Sequence, residues 1–360
     1  MPADVARAPG LLRVQLKLRY AYAMSRARCV LAFAIVACSH QAASDARPFS
    51  TGTPPRAEPP ANMVGGFTIE LPAITLAPGD EQTPCFVFPL VVTGPSSMVG
   101  GGKITTGAGL HHGNINTRPK TGEGFRPCPP RDPGDSALGG VGLDIAAGGA
   151  VLFGSSTQLV GTEWQSFADG MAYRIHADHE IVARMHYINP TSAPITVAPK
   201  YEWFTIDEAK VTREVAPFIW RYSGFSIAPR STTTVTGSCN FGGNPMHIVS
   251  LLPHMHATGV HFTAGFAGGA LDGRLFLDSK GYDQGASVRL SYDPAIDLSQ
   301  GDGATFACTW RNTFDKTLVE GIGDDEMCML FGYAWPPAST YSANVDDANG
   351  KCVYVAAPGQ

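Results

Sequence analysis

Apolar and polar residues alternate along this chain in short stretches punctuated by glycine and proline. Phe67, Ile69 and Leu71 alternate with Thr68 and Glu70, and Ala304, Phe306, Cys308 and Trp310 alternate with Thr305, Ala307, Thr309 and Arg311. A period of two is that of a strand with one buried face. Leu275 and Leu277 flank Phe276 in a short apolar run, and the β-branched segment 231–236 suits a strand facing water on one side. No stretch carries a four-turn apolar stripe at helical spacing. With 41 glycines and 28 prolines in 360 residues, turns are dense. The pattern predicts an all-β fold of two tandem antiparallel β-sandwiches. The expected domains are 63–203 and 204–360, with a weakly marked boundary between Pro199 and Phe204.

Composition narrows the function classes. Hydrophobic residues make up 44% of the chain, enough for a substantial core. The net charge is -5 with no Lys/Arg block, which argues against a nucleic-acid partner. No apolar run approaches the ~18 residues of a membrane-spanning helix. Arg26 and Arg28 precede an apolar stretch over 29–37, the order of a secretory signal within residues 1–38, with Met24 a candidate true start. The tetrad Ile35-Val36-Ala37-Cys38 resembles a bacterial lipobox, so an acyl anchor on Cys38 is expected, and Ser39 after it implies the outer membrane. An ordinary cleaved signal is the alternative. Residues 39–62 read as a flexible tether. The expected location is the bacterial envelope, outer membrane or periplasm, with membrane contact only through the lipid.

Of eight cysteines, Cys29 and Cys38 fall in the leader. Cys85, Cys128, Cys239, Cys308, Cys328 and Cys352 remain for the folded part. An even count in an exported chain predicts three disulfides, and the residues alone leave every pairing open. No Cys-x-x-Cys pair occurs, which argues against a thiolate zinc site.

The histidines carry the candidate chemistry. His111 and His112 are adjacent, so on a regular strand they point to opposite faces; both reach one metal only if the backbone bends, as Gly109 and Gly113 permit. His254 and His256 are two apart and share a face of any strand. His186 stands alone in Arg184-Met185-His186-Tyr187, and Met327 follows Asp324-Asp325-Glu326. On residue types alone these amount to a histidine-rich metal site.

Their order and context add more. Leu110-His111-His112 downstream of Cys85, Pro245-Met246-His247 leading to His254-Met255-His256 and Gly259, and Gly301-Asp302, Thr305, Cys308 followed by Asp325-Glu326-Met327-Cys328 resemble the copper type II, ascorbate-dependent monooxygenases. That is the family of peptidylglycine alpha-hydroxylating monooxygenase and dopamine beta-monooxygenase, and the resemblance runs from about Cys85 to Cys352. It implies two jelly-roll β-sandwiches and two separate mononuclear copper sites, two coppers per chain. His111, His112 and His186 would hold the electron-storing copper. His254, His256 and Met327 would form the catalytic copper site that binds O2 and a small-molecule substrate, while the other copper delivers an electron across a solvent-filled cleft. Three imidazoles serve both copper oxidation states, whereas a thioether favours Cu(I). The implied reaction hydroxylates a C–H bond with O2 and ascorbate or a similar one-electron reductant. The implied disulfides are Cys85–Cys128, Cys239–Cys352 and Cys308–Cys328, with His247 behind the second copper.

Three departures bear on substrate. Gly113 stands where the best-known members carry Met, Leu252 where the peptide-hydroxylating enzymes use an arginine to grip a carboxylate, and Met329 and Phe331 replace more polar residues. A peptidylglycine substrate is thereby disfavoured, and a neutral, amine or apolar one is expected. The competing readings are a non-catalytic copper-binding envelope lipoprotein and a structural β-sandwich lipoprotein. Nothing in the chain speaks to oligomeric state.

Overall fold

Among the described residues every long element of the computed structural model is a strand, and the helical elements with described bounds are single 3-10 turns. The structure describes residues 52–355 apart from 93, 130–143, 145–147, 157, 243, 281–287, 322–323 and 346–348. The leader, Met24 and Cys38 lie outside the described residues.

Two antiparallel β-sandwiches form, as the alternation predicts. In the first, one sheet runs in the order Met63–Glu70, Lys200–Ile206, Ser96–Thr106, Met171–His176 and Arg213–Glu214. The facing sheet runs Arg126–Pro127, Cys85–Pro89, His179–Ile188, Leu110–Pro119 and Val151–Gly154. The chain passes repeatedly from one sheet to the other, as from Cys85–Pro89 to Ser96–Thr106 to Leu110–Pro119 and from Met171–His176 to His179–Ile188, in the jelly-roll manner. Inward residues such as Ile104, Ile115, Ile181, Tyr201 and Trp203 are buried between the sheets.

In the second sandwich the larger sheet runs Leu290–Asp297, His247–His254, Met329–Trp335, Ala216–Tyr222, Ser342–Val345 and Val353–Val355. Against it lie Thr232–Asn240, Gly303–Arg311, Gly259–Ala267 and Leu275–Lys280. Ala304, Phe306, Cys308 and Trp310 point into the core, joined by Trp220, Phe262 and Phe276. Two short pairings depart from the antiparallel rule: Met171–His176 with Arg213–Glu214, and Ala216–Tyr222 with Ser342–Val345. The disulfides are Cys85–Cys128, Cys239–Cys352 and Cys308–Cys328, the set implied by the resemblance.

Two boundaries differ from expectation. Strand Lys200–Ile206 pairs with both Met63–Glu70 and Ser96–Thr106, and Arg213–Glu214 still belongs to the first sandwich, so the second begins near Ala216 rather than at residue 204. The Pro199–Phe204 stretch looked like a boundary because its strand is flanked by turns, yet its ladder partners lie far upstream. The described part of the expected tether is docked. Thr53 exchanges two backbone hydrogen bonds with Ser291, and Arg56 pairs with Asp169. Its proline-rich composition suppresses helix without preventing edge pairing.

The sandwiches share an interface and belong to one compact unit. Tyr333, from the second, packs with Tyr173 and Phe167 of the first and donates its hydroxyl to the Val151 and Leu152 carbonyls. Arg289 is buried against Glu163 at 3.1 Å, donates to the Gly154 carbonyl and stacks over Phe153. A buried cation without that carboxylate would be costly, so this pair fixes how the two bodies meet.

Candidate metal centre

The first three histidines meet because the ladder between Leu110–Pro119 and His179–Ile188 slips. His112 opposes His186, but Leu110 opposes Tyr187, which leaves His111 as the extra residue of a bulge. A bulge re-aims one side chain. Both adjacent imidazoles therefore face the outer side of the sheet, with His186 across the ladder. Gly109 supports the bend at φ +104°, where a side chain would also strike Val197 and Ile195. The ring centroids lie 5.0 Å apart for His111–His112, 4.8 Å for His111–His186 and 4.9 Å for His112–His186.

The second group needs no bulge. His254 ends strand His247–His254, His256 follows two residues on, and their rings are 5.3 Å apart. Glu326, itself buried, accepts hydrogen bonds from the backbone N–H groups of His256 at 2.8 Å and Thr258 at 2.7 Å, and from the Thr258 hydroxyl at 2.8 Å. The His256 Nδ1–H donates to the Asp325 carbonyl at 2.7 Å, which turns Nε2 inward. Met327 follows Glu326 directly and is tied to the core by its neighbour in the Cys308–Cys328 disulfide.

The two groups are contiguous. His112 belongs to both, since its ring nitrogens lie within 4.8 Å of ligand atoms of His111 and His186 and also of His254 and His256. The His112–His254 centroids are 5.2 Å apart and the His111–His256 centroids 5.9 Å. No open cleft separates the triads here, in contrast to the arrangement the resemblance implied. Instead the cluster lies between two cavities. One, of about 30 Å³, touches His112, His254, Met327, Asn114, Ser155 and Phe331. The other, of about 160 Å³, touches Glu81, His111, His186, His256, Asp324 and Asp325.

Electrostatics favours the neutral form of His111, His112, His186 and His254. Burial, reinforced by His186 and His256, lowers the His111 pKa to about 3. Burial followed by the neighbouring histidines drives His112 and His254 well below the usual imidazole range. His186 is lowered by burial, with Glu81 pulling the other way. Neutral imidazole is the metal-binding form. Nδ1 of His111, His112 and His186 and Nε2 of His256 are buried with no hydrogen-bond partner. Each unsatisfied buried nitrogen costs about 1–3 kcal/mol, and such nitrogens within two adjoining histidine groups fit metal ligation. A nitrogen-rich set with one thioether suits copper by ligand softness.

Two of the positions that depart from the resemblance, Gly113 and Leu252, have defined surroundings in the structure. A side chain at Gly113 would collide with Met185, whose Cε would lie 2.2 Å from the added carbon, so Met185 supplies from the neighbouring strand the bulk that Gly113 lacks. Leu252 is buried on the face of His254, Met329 and Phe331, opposite Gly154 of the first sandwich. His247 is not beside the cluster: it begins the strand that His254 ends, roughly 20 Å away at ~3.3 Å per residue. There it stacks on Trp335 at 3.8 Å. Glu81, Asn114 and Ser155 were not singled out by sequence; nothing local marks them, because each arrives through cross-strand or inter-sandwich packing.

No family model matches the chain, and no curated protein matches its sequence. Among solved structures, the major capsid protein P2 from Bacteriophage PM2 is similar at 10% identity and TM-score 0.31, over 76% of this chain and 98% of that one. A triple jelly roll protein of an archaeal virus is similar at 11% identity and TM-score 0.18, over 75% and 59% of the two chains. Likenesses this distant carry no argument about function.

Proposed function

We propose that this protein is a copper-dependent monooxygenase that hydroxylates a C–H bond of a small organic substrate, using O2 and ascorbate or a similar one-electron reductant. The observation that carries the reading is the contiguous cluster of five imidazoles, in which one buried ring nitrogen each of His111, His112, His186 and His256 lacks a hydrogen bond, with the Met327 thioether in the adjoining cavity. Copper, when bound, supplies the one-electron chemistry and the activation of O2. His111, His112 and His186 would hold one ion, and His254, His256 and Met327 the other. Glu326 and the Asp325 carbonyl keep His256 directed inward. Leu252, Met329 and Phe331 offer substrate an apolar wall with no cation, which suits a neutral or apolar molecule better than a carboxylate. The three disulfides fit an oxidising compartment, in keeping with export and a lipid anchor at Cys38.

One observation favours the second reading, a copper-holding envelope lipoprotein without turnover. The cavity beside Met327 has room for about one water and for no organic substrate. Turnover therefore needs the sandwiches to part at the interface held by Tyr333 and Arg289. Copper stoichiometry followed by ascorbate-dependent oxygen uptake separates the readings. Two coppers with uptake support the enzyme; copper without uptake across a panel of neutral and amine substrates supports the holding protein. No bound copper overturns both.

A further inference from the structure

The two triads are backed differently, and the difference centres on Glu81. His186 is buried, and its Nε2 lies 2.6 Å from Glu81 Oε1. Glu81 belongs to the two-residue strand Glu81–Gln82, which pairs with the end of His179–Ile188. Its backbone is held from both sides. Gly79 N–H donates to the Asn189 carbonyl, Asn189 N–H donates to the Asp80 carbonyl, and the Ala77 N–H is bound by the Asp80 carboxylate, each at 2.9 Å. Asn189 is buried and anchored by its own side-chain bonds to the Leu76 and Ala193 carbonyls. The carboxylate is thus aimed at His186 by a rigid turn.

A carboxylate accepts hydrogen bonds, so the proton of the neutral His186 ring sits on Nε2 and the lone pair on Nδ1. That Nδ1 is one of the partnerless nitrogens directed at the cluster. Such carboxylate–histidine pairs fix ring orientation and raise ligand basicity. In the second triad the corresponding partner of His256 is the neutral Asp325 carbonyl.

We infer that Glu81 is the positioning residue of the first triad, locking His186 in its Nε2–H form and biasing this triad toward Cu(II), while the second, with a neutral carbonyl and a thioether, leans toward Cu(I). The tautomer half stands on the geometry alone; the copper half rests on the function proposed above.

The test uses the purified protein with Glu81→Gln, which keeps an acceptor but removes the charge, and Glu81→Leu, which removes both. Nitrogen–proton NMR of the metal-free protein is expected to show His186 protonated at Nε2 in wild type, and a loss of that preference in Glu81→Leu. An Nδ1–H form in wild type overturns the inference. Competitive copper titration is expected to show Cu(II) affinity at the first triad falling about tenfold or more in Glu81→Leu and by less in Glu81→Gln, with Cu(I) affinity changing less and the second triad unaffected. Unchanged Cu(II) affinity, or equal loss for both oxidation states, overturns the bias. A wild-type protein that binds no copper overturns the copper reading, and the NMR result still decides the tautomer.

Discussion

The two ligand groups reach the same place by opposite routes. His254 and His256 lie two apart at the end of an ordinary strand, and their supports, Glu326 and the Asp325 carbonyl, come from the segment that also carries Met327. His111, His112 and His186 depend on a slipped ladder, a positive-φ glycine and a carboxylate brought in by a two-residue strand. In the second group the two histidines are paired locally and their supports come from one distant segment; the first group is assembled by cross-strand register. The local pair keeps its spacing when distant packing changes, whereas a site built on register is exposed to any residue that alters the pairing.

The sharpest way to break this comparison is to remove ligands singly. Met327→Ile is expected to abolish hydroxylation while leaving copper on the three-histidine side, at a stability cost below about 1.5 kcal/mol for a near-isosteric swap. His111→Ala should spare the second site, and His112→Ala, shared by both groups, should disturb both; metal analysis per chain distinguishes them. Equal effects from His111→Ala and His112→Ala would dissolve the shared-ligand geometry.

Next in size is Glu326→Ala, which leaves the buried N–H groups of His256 and Thr258 without an acceptor and should cost on the order of 3 kcal/mol in urea denaturation. A loss well under 1 kcal/mol, on the same bookkeeping, would mean that water replaces the carboxylate.

Gly113→Ala probes the first group. The new carbon collides with Met185 and should cost about 1–3 kcal/mol by overpacking. Met185→Ala in the same chain should recover part of that loss, since residues in contact couple. Additive losses would show that the two side chains do not compete for the same space.

A pH dependence is common to both groups. His111 titrates near 3 in the folded protein against 6.5 in the unfolded chain, and His112 and His254 are lowered in the same direction. Between these values the unfolded chain binds more protons, so stability of the metal-free protein is full above about 6.5 and falls as pH drops toward 3. The slope is at most ~1.4 kcal/mol per pH unit for each histidine. Denaturation midpoints of metal-free protein at neutral and mildly acidic pH measure it; a flat profile would mean that the rings are hydrated.

Much of this was legible in the residues, unevenly so. The alternation at 304–311 placed Cys308 and Trp310 in the core correctly, because a strand's facing is set by a period that needs no partner. The His254–His256 pairing was visible for the same reason. The bend required of His111 and His112 could be anticipated from Gly109, but its form could not, since a bulge exists only relative to the strand it pairs with. The boundary near 204 and the tether through 62 were misplaced because turn-rich composition reports local conformation and is silent on which distant strand accepts the ladder.

Residue types and facing were therefore set by the sequence itself: an all-β chain, an even set of cysteines, and five histidines and a methionine of types that suit a soft metal. Register, apposition and support were decided only in the tertiary structure. The slip that gathers His111 with His112, the Met185 that fills the space above Gly113, the carboxylate of Glu81 on His186 and the contact between the two triads all join residues far apart in the chain. Local periodicity cannot encode such contacts, because they come from the combined packing of many strands.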